Sequence, residues 1–82
     1  MSDRPLLQLE RGHRARIIGF SGGQMLAAKL RQLGIAPGAC VRVVRVAPLK
    51  GPVLIEVNGR SIALGRQIAS QVLVAEDECD SL

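Results

Sequence analysis

The feature that most restricts the fold is an Asn-Gly dipeptide, Asn58-Gly59, between two five-residue runs of mainly apolar residues, 53–57 and 60–64. Both central positions of a type I′ turn need a positive φ, and Asn followed by Gly adopts it at low cost. Such a turn pairs Ile55 with Ile62, so aliphatic side chains meet on one face. The sequence therefore predicts an antiparallel hairpin whose register is set by its turn.

One segment, at about 24–33, has the pattern of a helix. Its leucines recur at i, i+4 and i+7 and form a single stripe: Leu26, Leu30 and Leu33. Gly34 is expected at the left-handed position that ends the helix, where the lack of a Cβ removes the usual penalty. Pro37-Gly38 then closes the unit with a turn.

Three further strands are predicted, at 14–20, 40–46 and 72–74, and the apolar residues of the second change face at Val43-Val44, which indicates a β-bulge. The chain has 82 residues, one Phe and no Trp or Tyr, so one aliphatic core is expected. About five short strands with one helix predict a mostly β, strongly bent antiparallel barrel over residues 1–75. Residues 76–82 are expected to form a flexible acidic tail.

Charge is unevenly distributed along the chain. Residues 1–75 contain all eleven Lys and Arg residues and only three acids, a net charge of +8, whereas four of the seven acids lie in residues 76–82. A basic body favours attraction to nucleic acid, anionic lipid or an acidic protein face. A solvated basic surface with no specific partner is an equally good interpretation.

The sequence predicts no enzyme and no required cofactor. A nucleophile needs a nearby base, and the one histidine, His13, lies on a predicted surface turn. The chain lacks metal-binding spacings such as C-x-x-C, so only weak divalent-metal candidates remain: His13, Glu76, Asp77, Glu78 and Cys79. Cys40 and Cys79 are expected to be free thiols, with Cys40 buried as a small hydrophobe. The N-terminus has no signal-peptide pattern, so a cytoplasmic location is expected.

The segment 24–38, Q-M-L-A-A-K-L-R-Q-L-G-I-A-P-G, resembles the hallmark of the FeoA family, the small accessory proteins of bacterial ferrous iron transport. In that family a leucine-rich helix runs into a Leu-Gly-Ile-x-Pro-Gly turn. Other segments are similar to the family's opening, hairpin entry and closing segment: Leu7-x-Leu9-x-x-Gly12, Gly51-Pro52 and 58–69. The resemblance extends over about residues 6–74.

The resemblance implies an SH3-like barrel that binds and regulates an FeoB-type membrane transporter through its G domain or cytosolic face, and meets the membrane only through that partner. It does not decide among activation, inhibition and assembly. The residues predicted to contact the partner lie on the helix and the turn after it, and some also serve the core: Met25, Leu26, Leu30, Leu33, Ile35 and Pro37.

Two other functions stay open at this point. The basic body favours a small nucleic-acid-binding barrel, although Phe20 is the one aromatic side chain available for stacking, so nucleic acid is not the expected partner. The other open function is that of a metal-responsive dimerising module, related to the SH3-like domain that ends some metal-dependent repressors. In that case a homodimer would be bridged through His13 or the tail carboxylates.

Overall fold

A computed structural model describes residues 3–75, with Asp3 described by its backbone alone. The predicted acidic tail lies outside the described residues. The elements follow in chain order: β1 (Asp3–Pro5), a 3₁₀ turn (Leu6–Gln8), β2 (Arg14–Phe20), α1 (Gln24–Gln32), β3 (Cys40–Val46), β4 (Val53–Val57), β5 (Arg60–Leu64), α2 (Arg66–Ala69) and β6 (Val72–Ala75). All neighbouring strands are antiparallel, in the sheet order β1-β6-β2-β3-β4-β5.

The core is built from alternate residues of the strands. Because successive side chains of a strand point to opposite faces, one face of the sheet is continuously aliphatic. Its fully buried members include Ile17, Val41, Val43, Val53, Ile55, Val57, Val72 and Val74. Burying one such side chain contributes roughly 1.5–3 kcal/mol. The predicted mostly β fold with an aliphatic core is confirmed.

The hairpin of β4 and β5 has the predicted turn and register. Asn58 and Gly59 have φ values of 52° and 79°, as a type I′ turn requires. Val57 is paired with Arg60 and Ile55 with Ile62. Turn chemistry and hydrophobic pattern therefore agree on one register.

The predicted bulge in β3 is also present, as a shift of the pairing register between Val43 and Arg45 against β4. A second irregularity lies in β2, between Ile17 and Gly19 against β6, and the sequence pattern did not indicate it. Bulges bend and twist a strand. Both lie in the central part of the sheet, where bending closes the aliphatic face around the core.

The N-terminal segment adds a short strand and a 3₁₀ turn to the fold. Residues 3–5 form a sixth strand on β6, and Leu6–Gln8 form a 3₁₀ turn in which the Leu9 N–H donates to the Leu6 carbonyl, at 3.0 Å. Residues three apart lie one above the other in this helix. The turn thereby buries both Leu6 and Leu9, which an extended chain would place on opposite faces.

Helix α1 ends as its sequence predicts. Gly34 has a φ of 90°, and its N–H donates to the Arg31 carbonyl. The Ile35 N–H donates to the Leu30 carbonyl at 2.9 Å. These two bonds form a Schellman motif, with Leu30 and Ile35 both buried in the core beneath it.

The expectation of free thiols is wrong for Cys40, which is disulfide-bonded and half-buried on the outer face of the sheet. No free cysteine occurs among residues 3–75. The one other cysteine of the sequence, Cys79, lies outside the described residues. The positions of the two cysteines along the chain give no sign of this bond.

We expect Gly34→Ala to lower the free energy of unfolding by about 1–2 kcal/mol, since alanine pays a steric cost at this left-handed position. Chemical denaturation of the purified protein measures the change. Gly19→Ala is the matched control, because Gly19 is not left-handed and a Cβ there would meet no atom within 4 Å. An equal loss of unfolding free energy in the two variants would contradict the requirement for glycine at this left-handed position.

Candidate functional site

The residues predicted to bind a partner do not share one environment. Met25 is 87% exposed, and Pro37 is also exposed. Leu33, the residue at which α1 ends, is 38% exposed. Leu30 and Ile35 are fully buried, and Leu26 packs against the core as a partly buried side chain. Of the predicted set, Met25, Leu33 and Pro37 are therefore open to direct contact, and their binding role stays a prediction.

The entrance to α1 explains why Met25 faces outward. The Leu26 side chain folds back against the chain at Gly22, where a Cβ would collide with the Leu26 Cδ2 atom. Leu26 thus occupies the inward position of the first turn. Adjacent residues of a helix point about 100° apart, so Met25 is turned toward solvent.

A second exposed apolar side chain lies at the tip of the loop between β3 and β4. Leu49 and Lys50 have φ values of 59° and 62°, and the Gly51 N–H donates to the Pro48 carbonyl at 3.1 Å. This is a type I′ turn formed without Asn or Gly. The left-handed conformation costs an ordinary residue about 1–2 kcal/mol. The turn leaves Leu49 95% exposed.

The sequence predicts a loop at 48–52 and leaves Leu49, with Met25, as an apolar side chain near the edge of the fold. The available signal was the bracket of Pro48 and Pro52 around a short segment, typical of a tight turn. Met25 and Leu49 are the most exposed large apolar side chains among residues 3–75. We call these two residues the apolar tips.

The outer face of the sheet holds a shallow groove of about 270 Å³, here called the outer groove. Its chemistry comes from side chains on three neighbouring strands and the β4–β5 turn: Arg14, Cys40, Arg42, Glu56 and Asn58. Arg42 binds Glu56 across β3 and β4, with its Nη2 and Nε atoms 2.7 and 3.2 Å from the Glu56 Oε1. Arg14 lies directly opposite Arg42 in the β2–β3 pairing. The groove thus carries two arginines and a glutamate.

Of the predicted metal candidates, only His13 lies among the described residues. The His13 Nε2 lies 3.8 Å from the Glu10 Oε1 on an exposed turn. Within residues 3–75, no three His, Cys, Asp or Glu residues are grouped so that they could hold a metal ion. The other candidates, Glu76 to Cys79, lie outside the described residues. Metal binding stays a prediction.

None of the helices described in residues 3–75 is long and apolar enough to span a bilayer.

We expect Lys50→Gly to raise the free energy of unfolding by about 1 kcal/mol, because glycine adopts the left-handed conformation at little steric cost. Thermal and urea unfolding measure the gain. Lys29→Gly, within α1, is the opposed control and should destabilise the protein by a similar amount. A destabilised Lys50→Gly protein would show that the turn is not strained.

Comparison with known proteins bears on this fold and its surfaces. The FeoA domain model matches residues 4–76. A crystal structure of an iron uptake regulatory protein, FeoA, is 29% identical with a TM-score of 0.81, over 92% of this chain and 97% of that one. The solution structure of FeoA from Chlorobium tepidum is 28% identical with a TM-score of 0.82, over 94% of this chain and 73% of that one.

A manganese-dependent transcriptional repressor has the same fold in part of its chain, with a TM-score of 0.81 at 17% identity. The match covers 90% of this chain and 41% of the repressor. Comparison with curated protein sequences gave no significant match. The family match over nearly all of the described residues, and the FeoA structures that share its SH3-like fold, show that this chain belongs to the FeoA domain family.

Proposed function

We propose that this protein is a non-enzymatic accessory protein of ferrous iron uptake that binds the cytosolic portion of an FeoB-type transporter. The observation that supports the proposal most is the FeoA domain match over residues 4–76. The family is one of small accessory domains of ferrous iron transport and is not a known enzyme family. That this protein binds the transporter goes beyond the family match and is our own proposal.

The apolar tips support a protein partner. A Met side chain is flexible and polarisable, so it adapts to the surface that it meets. Removing an exposed apolar side chain from water contributes about 25 cal/mol for each Å² buried. Met25 and Leu49 retain nearly all of their accessible area in this chain, so that contribution is available to a partner.

The conformation of the β3–β4 turn gives independent support. Two consecutive residues in the left-handed region lower the stability of the protein, yet Leu49 gains no burial in return. Backbone strain of this kind is concentrated at binding and catalytic sites. We therefore propose that the strained turn serves to present Leu49 to a partner.

The transporter is proposed to contact the apolar tips, with Leu33 and Pro37 beside the helix end as further contacts. Leu30 and Ile35 act only by holding the helix and its turn in place, because both are buried. Activation, inhibition and assembly of the transporter are all compatible with such contact. The nucleic-acid and metal-responsive dimer hypotheses stay untested predictions.

We expect Met25→Asp to weaken capture of solubilised FeoB-type transporter about tenfold or more, because it replaces an apolar contact by a charge. The fold should persist, since an acidic residue in the first turn of a helix interacts favourably with the helix dipole. Gln24→Asp is the matched control: it adds the same charge one residue earlier and keeps Met25. Equal capture by wild type and Met25→Asp would remove the helix tip from the interface.

Leu49→Asn tests the second tip. Asparagine tolerates the left-handed conformation, so the variant should be at least as stable as wild type while capture falls several-fold. Lys50→Gly relaxes the same turn but keeps Leu49, and it should capture the transporter normally.

Absence of capture by the wild-type protein at moderate salt, with and without guanine nucleotide, would overturn the proposed function as a whole.

A further inference from the structure

We propose that the outer edge of β5 pairs with the same edge of a second copy of this chain, so that two copies join antiparallel about Ile62 into one continuous sheet. β5 is the last strand in the sheet order, and within residues 3–75 no strand lies beyond it. The edge of a terminal strand presents unpaired backbone N–H and C=O groups, which form a template for another strand. The inference is independent of the proposed function, because the apolar tips lie on other elements.

The β4–β5 turn decides which backbone groups of β5 face outward. In a two-residue hairpin the residues that flank the turn exchange hydrogen bonds, and every second pair after them does the same. Arg60, Ile62 and Leu64 are therefore bonded to β4. Ser61 and Ala63 alternate with them, so their N–H and C=O groups point away from β4. Both residues are exposed, which leaves these groups open to a second strand.

β5 lacks most of the features that keep a strand edge from pairing. Natural edges carry a proline, a bulge or charged side chains, or are very short. The opposite edge of the sheet, β1, has three residues and includes Pro5. β5 has five residues in unbroken register with β4, and its one charge, Arg60, lies at the turn end. A second strand can therefore approach β5 along most of its length.

The outward groups of β5 complement a second copy of themselves. Ser61 and Ala63 lie one residue before and one residue after Ile62. A two-fold axis at Ile62 therefore sets Ser61 of each copy against Ala63 of the other. Each of these two pairs exchanges two N–H to C=O bonds, because both of its residues direct their backbone groups outward. Self-pairing thus satisfies the outward N–H and C=O groups of both residues.

Side chains favour the same register. Ile62 is partly buried against the core, and the axis sets it against its own copy in a non-hydrogen-bonded pair, where side chains lie closest. An axis at Ala63 would instead bring Arg60 toward Arg66, the first residue of α2, and like charges at paired positions repel. An axis at Ser61 would pair only three residues of β5. Pairing about Ile62 is therefore the favoured arrangement.

The size of the interface predicts weak pairing. Five residues of each copy take part, compared with about 20–30 a side in a standard interface. Loss of translational and rotational freedom offsets much of what the backbone bonds and one aliphatic contact contribute. We therefore expect a Kd of about 0.1–1 mM. The dimer forms at high protein concentration, or where two copies are held side by side.

The first experiment follows the mass and the amide exchange of the protein from well below to well above the expected Kd. Reductant is present throughout, so that no disulfide through Cys40 joins two copies. Sedimentation equilibrium should show monomer giving way to dimer. Exchange of the Ser61 and Ala63 amide hydrogens should slow several-fold with concentration, whereas the Ile62 amide, bonded to β4, should exchange slowly throughout. A monomer at every concentration, or exchange at Ser61 and Ala63 that does not change, would overturn the proposal.

The second experiment removes one outward donor. Ala63→Pro deletes an N–H that makes no bond to β4, and proline is tolerated on an edge strand, so the variant should fold and dimerise about tenfold more weakly. Ala63→Val keeps the N–H and suits a strand, so this matched control should dimerise as wild type does. Met25→Asp should also leave the dimer unchanged. Undiminished dimerisation of Ala63→Pro, or its loss in Met25→Asp, would place the contact elsewhere and overturn the proposal.

Two double variants test the register without relying on proline. Ser61→Lys with Ala63→Glu sets opposite charges against each other across the axis and should tighten the dimer several-fold. Ser61→Glu with Ala63→Glu sets like charges there and should weaken it several-fold, although it lowers the net positive charge of the protein. Both positions are exposed, so urea unfolding should show both proteins folded. Equal dimerisation of the two double variants would contradict pairing about Ile62.

Discussion

Burial of one aliphatic face of the sheet is the interaction on which the rest of the molecule depends. The chain has no Trp or Tyr, and its one Phe, Phe20, is only partly buried, so no single large side chain fills the interior. The core is instead made of many small side chains from five strands, the 3₁₀ turn and α1, and these must close around one another to exclude water. The bulges in β2 and β3 supply the bending that this closure needs.

Because the core is built on the inner face of the sheet, side chains on the outer surfaces need not pack against it. Helix α1 contributes only Leu30 as a fully buried side chain, with Leu26 partly buried beside it. The helix can therefore end in a well-formed Schellman motif and still hold Met25 in solvent. The β3–β4 turn, which lies beyond the sheet, carries a second exposed apolar residue at a conformational cost. The exposed Met25 and the left-handed residues of the β3–β4 turn both depart from local preference. Both lie at the surface, where packing of the core does not depend on them.

The same fold occurs in FeoA proteins and in part of a manganese-dependent repressor, which shows how little the fold alone says about activity. What separates such proteins is the chemistry of their surfaces. Here that chemistry is of two kinds: apolar tips suited to a protein partner, and a basic outer groove next to a disulfide-bonded cysteine. The two lie on different elements, so each can be changed by mutation without altering the other.

The sequence by itself determined those features that depend on neighbouring residues. The register of β4 and β5 follows from Asn58-Gly59, the end of α1 from Gly34, and the bulge in β3 from the change of face at Val43-Val44. In each case turn chemistry or side-chain alternation acts within a few residues, so no distant contact is needed to decide the outcome.

Only the tertiary structure decided which apolar residues stay exposed and which strands lie side by side. Met25 and Leu26 are equally apolar neighbours, and only packing at Gly22 turns one inward and the other out. The sheet order places β6 next to β2 and so brings Ala75, at the end of the described chain, within one strand of Cys40, which lies 35 positions earlier in sequence. Such order is set by which strands bury the most apolar surface together, a property of the whole chain that local sequence patterns do not contain.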